Sequence, residues 1–197
     1  MSNPISWEAE VAFRYNKDRG GPDIVESPVR ILVTGSRNWT DEKSVAKCIN
    51  VALKFFESEA SCSTLIHGNA RGADKIAAGI ADDLGLTVES HPAQWDVHNK
   101  NCPRVDPKNG GCWKGRDSCK RAGFRRNIEM ISSGANILLA FIKDDSPGAS
   151  GTLNLWLQED RPVIICRQSG DNPVKGEFIN MNRYTSKSTE GVESGGA

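Results

Sequence analysis

Short apolar runs alternate along this chain with segments whose apolar residues recur three and four positions apart. Residues 29–34 (VRILVT) form a continuous β-rich run, as expected of a parallel strand buried on both faces. Residues 137–142 repeat that character, and residues 63–67, 86–90 and 162–166 read as further short strands, giving five predicted strands. Between the first two, Val45, Ile49, Ala52, Leu53 and Phe56 share one face of a predicted helix over 41–58, with Thr40 as its cap. Ala73, Ile76, Ala77, Ile80, Ala81 and Leu84 predict a second helix, stopped by Gly85. Phe124, Ile128 and Ile131 predict a third helical face, ending near Gly134, and residues 152–159 predict a fourth helix.

Strands alternating with helices at this spacing imply right-handed βαβ units and an α/β fold, with a five-stranded, mainly parallel sheet covered on both faces. The predicted domain is 29–167. Residues 1–28 read as an N-terminal arm outside the core, with Ile5, Trp7, Val11 and Phe13 available to dock on the domain or a partner subunit. Residues 168–197 read as a polar, flexible C-terminal tail.

In such a sheet, ligands bind beyond the carboxyl ends of the strands, where strand order reverses. Three turns are expected there: Gly35-Ser36-Arg37, residues 68–74 and residues 146–152. In the third, Gly148 and Gly151 permit close backbone approach, and Ser150 and Thr152 add hydroxyl donors at a helix N-terminus that favours an anion. Arg37 reads as a phosphate ligand or a solvated loop arginine. Asp74 reads as a ribose ligand or a first-turn carboxylate on the helix dipole. Of the adjacent pair Arg125 and Arg126, the second is the expected anion ligand. His67 is more often structural at a strand end than an acid/base, and Trp39 and Trp95 more often pack loops than stack on a base.

Composition narrows the classes. The length of 197 residues favours one domain with extensions, and Lys plus Arg equal Asp plus Glu at 25 each, so global charge makes no case for nucleic acid or membrane. No apolar run approaches the roughly 20 residues that span a bilayer, and the first residues lack the features of a signal peptide, so a cytoplasmic protein is expected. Six cysteines in that setting suggest metal, catalysis or burial before disulfides, and Cys48, Cys62 and Cys166 read as buried or semi-buried.

Residues 96–120 interrupt the α/β pattern. They read His98-x3-Cys102-x9-Cys112-x6-Cys119 in a segment with little apolar content. Those four side chains suit a structural zinc, which would supply the missing folding free energy; no redox cofactor is expected. Lys100, Arg104, Lys108, Lys114, Arg116, Lys120 and Arg121 make the insertion basic. It reads as a lid over an anionic ligand, a contact for nucleic acid, or a solvated loop.

The motifs TGSRNW (34–39), HGNARGADKIA (67–77), HPAQW (91–95) and AGFRRNIEM (122–130), followed by the turn at 146–152, occur in that order. The chain resembles the YspA/YpsA-related branch of the SLOG superfamily, a Rossmann-like group that includes the Lonely Guy phosphoribohydrolases and the DNA-processing protein DprA. Many members of that branch are encoded by bacteria and phages. The resemblance covers about 29–166. It implies a Rossmann-like three-layer sandwich, with Gly35, Ser36 and Arg37 as the first ligand turn and Gly68, Gly72 and Asp74 as the second. Arg126, Asn127 and Met130 fall on the Arg-x-x-x-Met helix motif, whose arginine contacts nucleotide. Pro147 to Leu155 resembles Pro-Gly-Gly-x-Gly-Thr-x-x-Glu, with Leu155 in the place of the catalytic glutamate.

A leucine there cannot handle protons or stabilise an oxocarbenium-like centre. The expectation is therefore a module that senses or sequesters a nucleotide or nucleotide-derived ligand. Two alternatives stand beside it. One is a nucleotide N-glycosidase or phosphohydrolase with Asp74 or Glu129 as acid/base; the other is a single-strand nucleic-acid binder using the insertion. The resemblance also implies a homodimer.

Overall fold

β1 (Arg30–Gly35) takes the centre of the sheet because its residues are apolar on both faces and need cover on both. In the computed structural model, which describes residues 28–104, 112–115 and 117–181, the chain continues through α1 (Glu42–Phe55), β2 (Thr64–His67), α2 (Ala73–Leu84), β3 (Thr87–Ser90), α3 (Ala122–Ile131), β4 (Ile137–Lys143), α4 (Pro147–Leu157), β5 (Val163–Gln168) and β6 (Lys175–Ile179). Most of the expected arm, including Ile5, Trp7, Val11 and Phe13, the end of the expected tail, and Lys108 and Arg116 lie outside the described residues.

The strand order is β3-β2-β1-β4-β5-β6, with β1 to β5 parallel and β6 antiparallel to β5. The chain moves outward from β1 to β3, then returns to place β4 on the other side of β1. That reversal makes the ends of β1 and β4 the switch point of a Rossmann-like sheet. Alternation along the strands sorts the core into two layers. Ile31, Val33, Leu139 and Phe141 pack with Val45, Ile49 and Ala52 of α1 and Ala73, Ala77 and Ala81 of α2. Leu32, Ile66, Leu138 and Ala140 pack on the other face with Met130 of α3 and Ala149, Leu153 and Trp156 of α4. No helix among the described residues is long and apolar enough to cross a membrane.

Several local features depart from the sequence reading. A sixth strand, β6, joins the predicted five from within the expected polar tail. Only Phe178 and Ile179 of that strand supply large apolar side chains, and they pack on opposite sides of the sheet, a pattern too sparse to signal an antiparallel edge strand. The cap of α1 is Asp41, not Thr40; its carboxylate accepts the Ser44 N–H at 3.2 Å. α4 starts at Pro147, so Gly148 to Gly151 are helical rather than loop. Proline suits a first helical turn, and burial of Ala149, Leu153 and Trp156 offsets the roughly 1 kcal/mol that each glycine costs. The predicted face of α3 is turned: Phe124 is 56% and Ile128 44% exposed, while Ala122, Asn127 and Met130 point inward. Trp39 packs in the core as expected and Trp95 is exposed; Cys62, expected to be buried or semi-buried, instead lies exposed because it sits in a short 3-10 turn on the surface.

Trp156 ties the α4 layer together. Its ring is buried, its indole N–H donates to Pro162 O at 3.0 Å, and the Arg161 guanidinium lies 3.6 Å from its ring centre. Trp156→Ala is expected to lose about 3–5 kcal/mol of stability in urea denaturation; a loss under about 1 kcal/mol would show that this layer is not structurally limiting.

Candidate functional site

Two of the three predicted turns form one hydrogen-bonded unit, and β4, which leads to the third, is bonded to it. β1 stops at Gly35, where a Cβ would overlap Ala73 and Phe141. Ser36 then turns away with its N–H on Phe141 O at 2.8 Å. Its hydroxyl accepts the Lys143 N–H at 2.8 Å and donates to Lys143 O at 3.3 Å, bridging β1 to β4. Its carbonyl accepts the N–H of Trp39 at 3.1 Å and of Ala73 at 3.3 Å. Gly72 lies at φ +73°, and a Cβ there would overlap Ser36 O and come within 2.7 Å of the Arg37 carbonyl carbon, so a side chain would meet both strain and backbone.

The second turn is organised by Asp74. Its buried carboxylate accepts the N–H groups of Gly68 at 3.0 Å and Ala70 at 3.1 Å. Burial raises this carboxyl to about 6, against the lowering effect of the Ala70 and Gly68 N–H groups and of Arg126 and Arg37. The Arg126 guanidinium lies over Gly68, where it takes the place a Cβ would occupy. It donates to Gly68 O, to His91 O at 3.3 Å and to Asn127 Oδ1 at 2.9 Å. His67 is buried, its Nδ1 accepts the Asn69 N–H at 3.1 Å, and burial lowers its pKa, as a structural residue requires. Asn69 itself is exposed at φ 56°.

The third turn is the first turn of α4. Ser146 makes no side-chain capping bond, Pro147 has no N–H, and the first α-type bond runs from Ser150 N to Ser146 O at 2.9 Å. The N–H groups of Gly148 and Ala149 therefore have no partner within the helix. Space is open at Gly148 and Gly151. Thr152 is buried and its hydroxyl donates to Gly148 O at 3.1 Å. Leu155 packs against the α4-side core.

The predicted ligand residues thus divide by task. Gly35, Ser36, Gly68, Gly72, Asp74, Arg126 and Thr152 shape or hold the backbone and the buried Asn127 accepts from Arg126, whereas Arg37 and Gly148 are exposed and Ser150 and Gly151 are half-exposed. Of the two acid/base candidates, Asp74 is taken up by the 68–70 turn, whereas Glu129 bonds His91. It borders a cavity of about 210 Å³ with Ser90, His91, Gln94, Arg125 and Arg126. There His91 lies between Glu89 at 2.7 Å and Glu129 at 3.2 Å, and Glu89 also pairs with Arg30 at 2.6 Å. The bonds from His91 and Arg30 hold the Glu89 carboxyl below its usual range. Sequence reasoning missed this cluster because its members are scattered over 30, 89, 91 and 129; only the His-Pro after a strand hinted at it.

The insertion brings its four expected ligands together. His98, Cys102, Cys112 and Cys119 place one ligand atom each within 4.8 Å of all the others, so the set can hold a metal ion. The sulfurs are 3.6, 3.6 and 3.9 Å apart, and Cys112 Sγ is 3.5 Å from His98 Nδ1. A tetrahedral zinc with ordinary bond lengths would set thiolates about 3.8 Å apart and a thiolate and an imidazole about 3.5 Å apart. The same spacing is far too long for a disulfide. Arg125 donates to Cys119 Sγ at 3.1 Å, which favours the thiolate, and to Val97 O at 2.6 Å.

Cys48 and Cys166 are buried as expected, and also in mutual contact at 3.3 Å, which the sequence did not signal. The hydrogen bond to Cys166 and burial push the Cys48 thiol well up. The pair borders a cavity of about 280 Å³ between α1, β5 and β6, which Lys43, Lys47 and Phe178 also line.

The profile of the YspA, cpYpsA-related SLOG family (YAcAr) matches residues 29–98. The chain is 32% identical over 149 residues to the Gene 61 protein of Mycobacterium phage D29, covering 73% of this chain and 98% of that protein. Its fold is similar to the X-ray structure of DNA processing protein A (DprA) from Streptococcus pneumoniae, with 20% identity and a TM-score of 0.48 over 70% of this chain and 50% of that one. The chain spans about half the length of that structure.

The raised Asp74 value has a definite sign. The folded carboxyl binds its proton more tightly than the unfolded one, so protonation stabilises the fold fully below about pH 4, and this is lost as pH rises through about 6. Asp74→Asn keeps an acceptor for both N–H groups and cannot ionise. Between pH 4 and 7 the unaltered protein should lose up to about 3 kcal/mol relative to this variant in urea titrations; parallel pH curves would exclude the effect.

Proposed function

The chain belongs to the YspA, cpYpsA-related SLOG family, and on that footing we propose that its rim binds a nucleotide or nucleotide-derived anion as a sensing or sequestering module. The observation that carries this reading is the Ser36 junction. Its bonds to Lys143 and Ala73 bring the ends of β1 and β4 and the start of α2 onto one edge. The exposed Arg37 and the uncapped start of α4 then supply a guanidinium and free N–H groups for phosphate. Asp74 and Arg126 fix the neighbouring turn on which the sugar would rest.

No reaction is assigned to the rim. The position that carries a glutamate in the Lonely Guy enzymes holds Leu155, which packs into the core. Asp74 already accepts two backbone N–H groups, and Glu129 borders a separate cavity with His91. The insertion, in this reading, carries a structural zinc on His98, Cys102, Cys112 and Cys119, supported by spacings that fit a tetrahedral ion.

Adenosine monophosphate and related nucleotides should raise the melting temperature without being consumed, since a ligand of the native state alone adds stability. Arg37→Ala should weaken that binding about 10–100-fold with the fold intact. Unchanged affinity would remove Arg37 from the site, a chromatographic product would replace the module with an enzyme, and steeply salt-dependent oligonucleotide binding would favour a nucleic-acid partner.

Protein purified without added metal should contain about one zinc per chain, as a closed four-ligand site requires. A metal-free protein with Cys102, Cys112 and Cys119 all open to alkylation would exclude it.

A further inference from the structure

We propose that the metal centre holds Arg126 in place at the rim, so that ligand binding there depends on a loaded centre; this rests on the ligand reading above. Arg125 and Arg126 are consecutive on the first turns of α3 and reach opposite ways. Arg125 donates to Cys119 Sγ at 3.1 Å and to Val97 O, one residue before His98. Arg126 donates to Gly68 O and to His91 O, on the turn that Asp74 organises.

Apart from these two arginines, the start of α3 is held among the described residues mainly from the metal loop. Arg121 offers no side-chain cap, and Phe124 and Ile128 are exposed. Its anchors lie in the metal loop. Ala122 packs with Cys102, Cys112 and Cys119, its N–H donates to Cys119 O at 3.0 Å, and Cys119 N–H donates to Trp95 O at 2.6 Å. Met130 and Ile131 keep the far end of α3 on the sheet. An ion on the four ligands therefore fixes one end of this helix and the sheet fixes the other, with Arg126 between them.

Loss of the ion removes the one group that joins His98, Cys102, Cys112 and Cys119, in a segment whose sequence has little apolar content. Cys119 is then no longer fixed beneath Arg125 and the Ala122 N–H, the first turn of α3 frays, and the guanidinium of Arg126 is free to leave Gly68. Arg125 acts through its neighbour and is a positioning residue, as outer partners of metal ligands often are.

Hydrogen exchange of the full chain, read by mass spectrometry, tests this with two treatments. The first strips zinc with a chelator. The second is Arg125→Ala, which keeps all four metal ligands and should still contain about one zinc by elemental analysis. Both should speed exchange about tenfold or more at residues 122–127 and at the turn 68–70. Both should also reduce the thermal shift given by adenosine monophosphate. Either treatment leaving 68–70 unchanged, with effects confined to 96–120, overturns the proposal. If the zinc-loaded, unaltered protein gives no shift with the nucleotide, the ligand reading fails, while the exchange data still decide the coupling.

Discussion

The rim depends on the shared hydroxyl of Ser36. At the carboxyl edge of a parallel sheet each strand must leave for its helix, and the departing backbone loses its ladder partners. β1 and β4 leave toward opposite faces, so the gap between them would open without a tie. Ser36 supplies one, donating to and accepting from the backbone of Lys143 while its own carbonyl anchors Ala73. The arrangement requires backbone to approach backbone, which is why Gly35 and Gly72 have no room for a side chain. A buried polar group fully paired in this way fixes one geometry, because every alternative leaves donors or acceptors unsatisfied.

The sheet was legible because strands buried on both faces, β1 and β4 above all, leave continuous apolar runs, and all five predicted strands formed, including β3, a mostly exposed edge strand. What escaped was whatever did not depend on apolar periodicity. β6 is a half-exposed edge with two large apolar residues. The face of α3 was misread because polar anchors, not burial of Phe124 and Ile128, set its rotation. The early start of α4 was hidden by glycines, whose low helix propensity was overridden by packing of Ala149 and Trp156.

The site was legible at the level of which turns meet, since topology alone brings strand ends together. The role of each residue was not. Asp74 and Thr152 look like ligand groups in one dimension, yet their oxygens face their own backbone. The four ligands of the insertion were readable from chemical type alone, because a segment poor in apolar residues has few other ways to order Cys102, Cys112 and Cys119. Arg125 was not readable, since nothing in the sequence tells which of two adjacent arginines faces a sulfur and which a carbonyl.

One further consequence lies in how the scaffold and the exposed surface are separated. The bonds that shape the rim are made by main chain and by Ser36, Asp74 and Arg126, with glycines giving the backbone room, whereas the outward groups include Arg37, Asn69 and Arg71. Arg37 and Arg71 take no part in those bonds, whereas Asn69 also carries a left-handed backbone conformation. The outer face of this edge can therefore vary at the two arginines without disturbing the bonds that fold it.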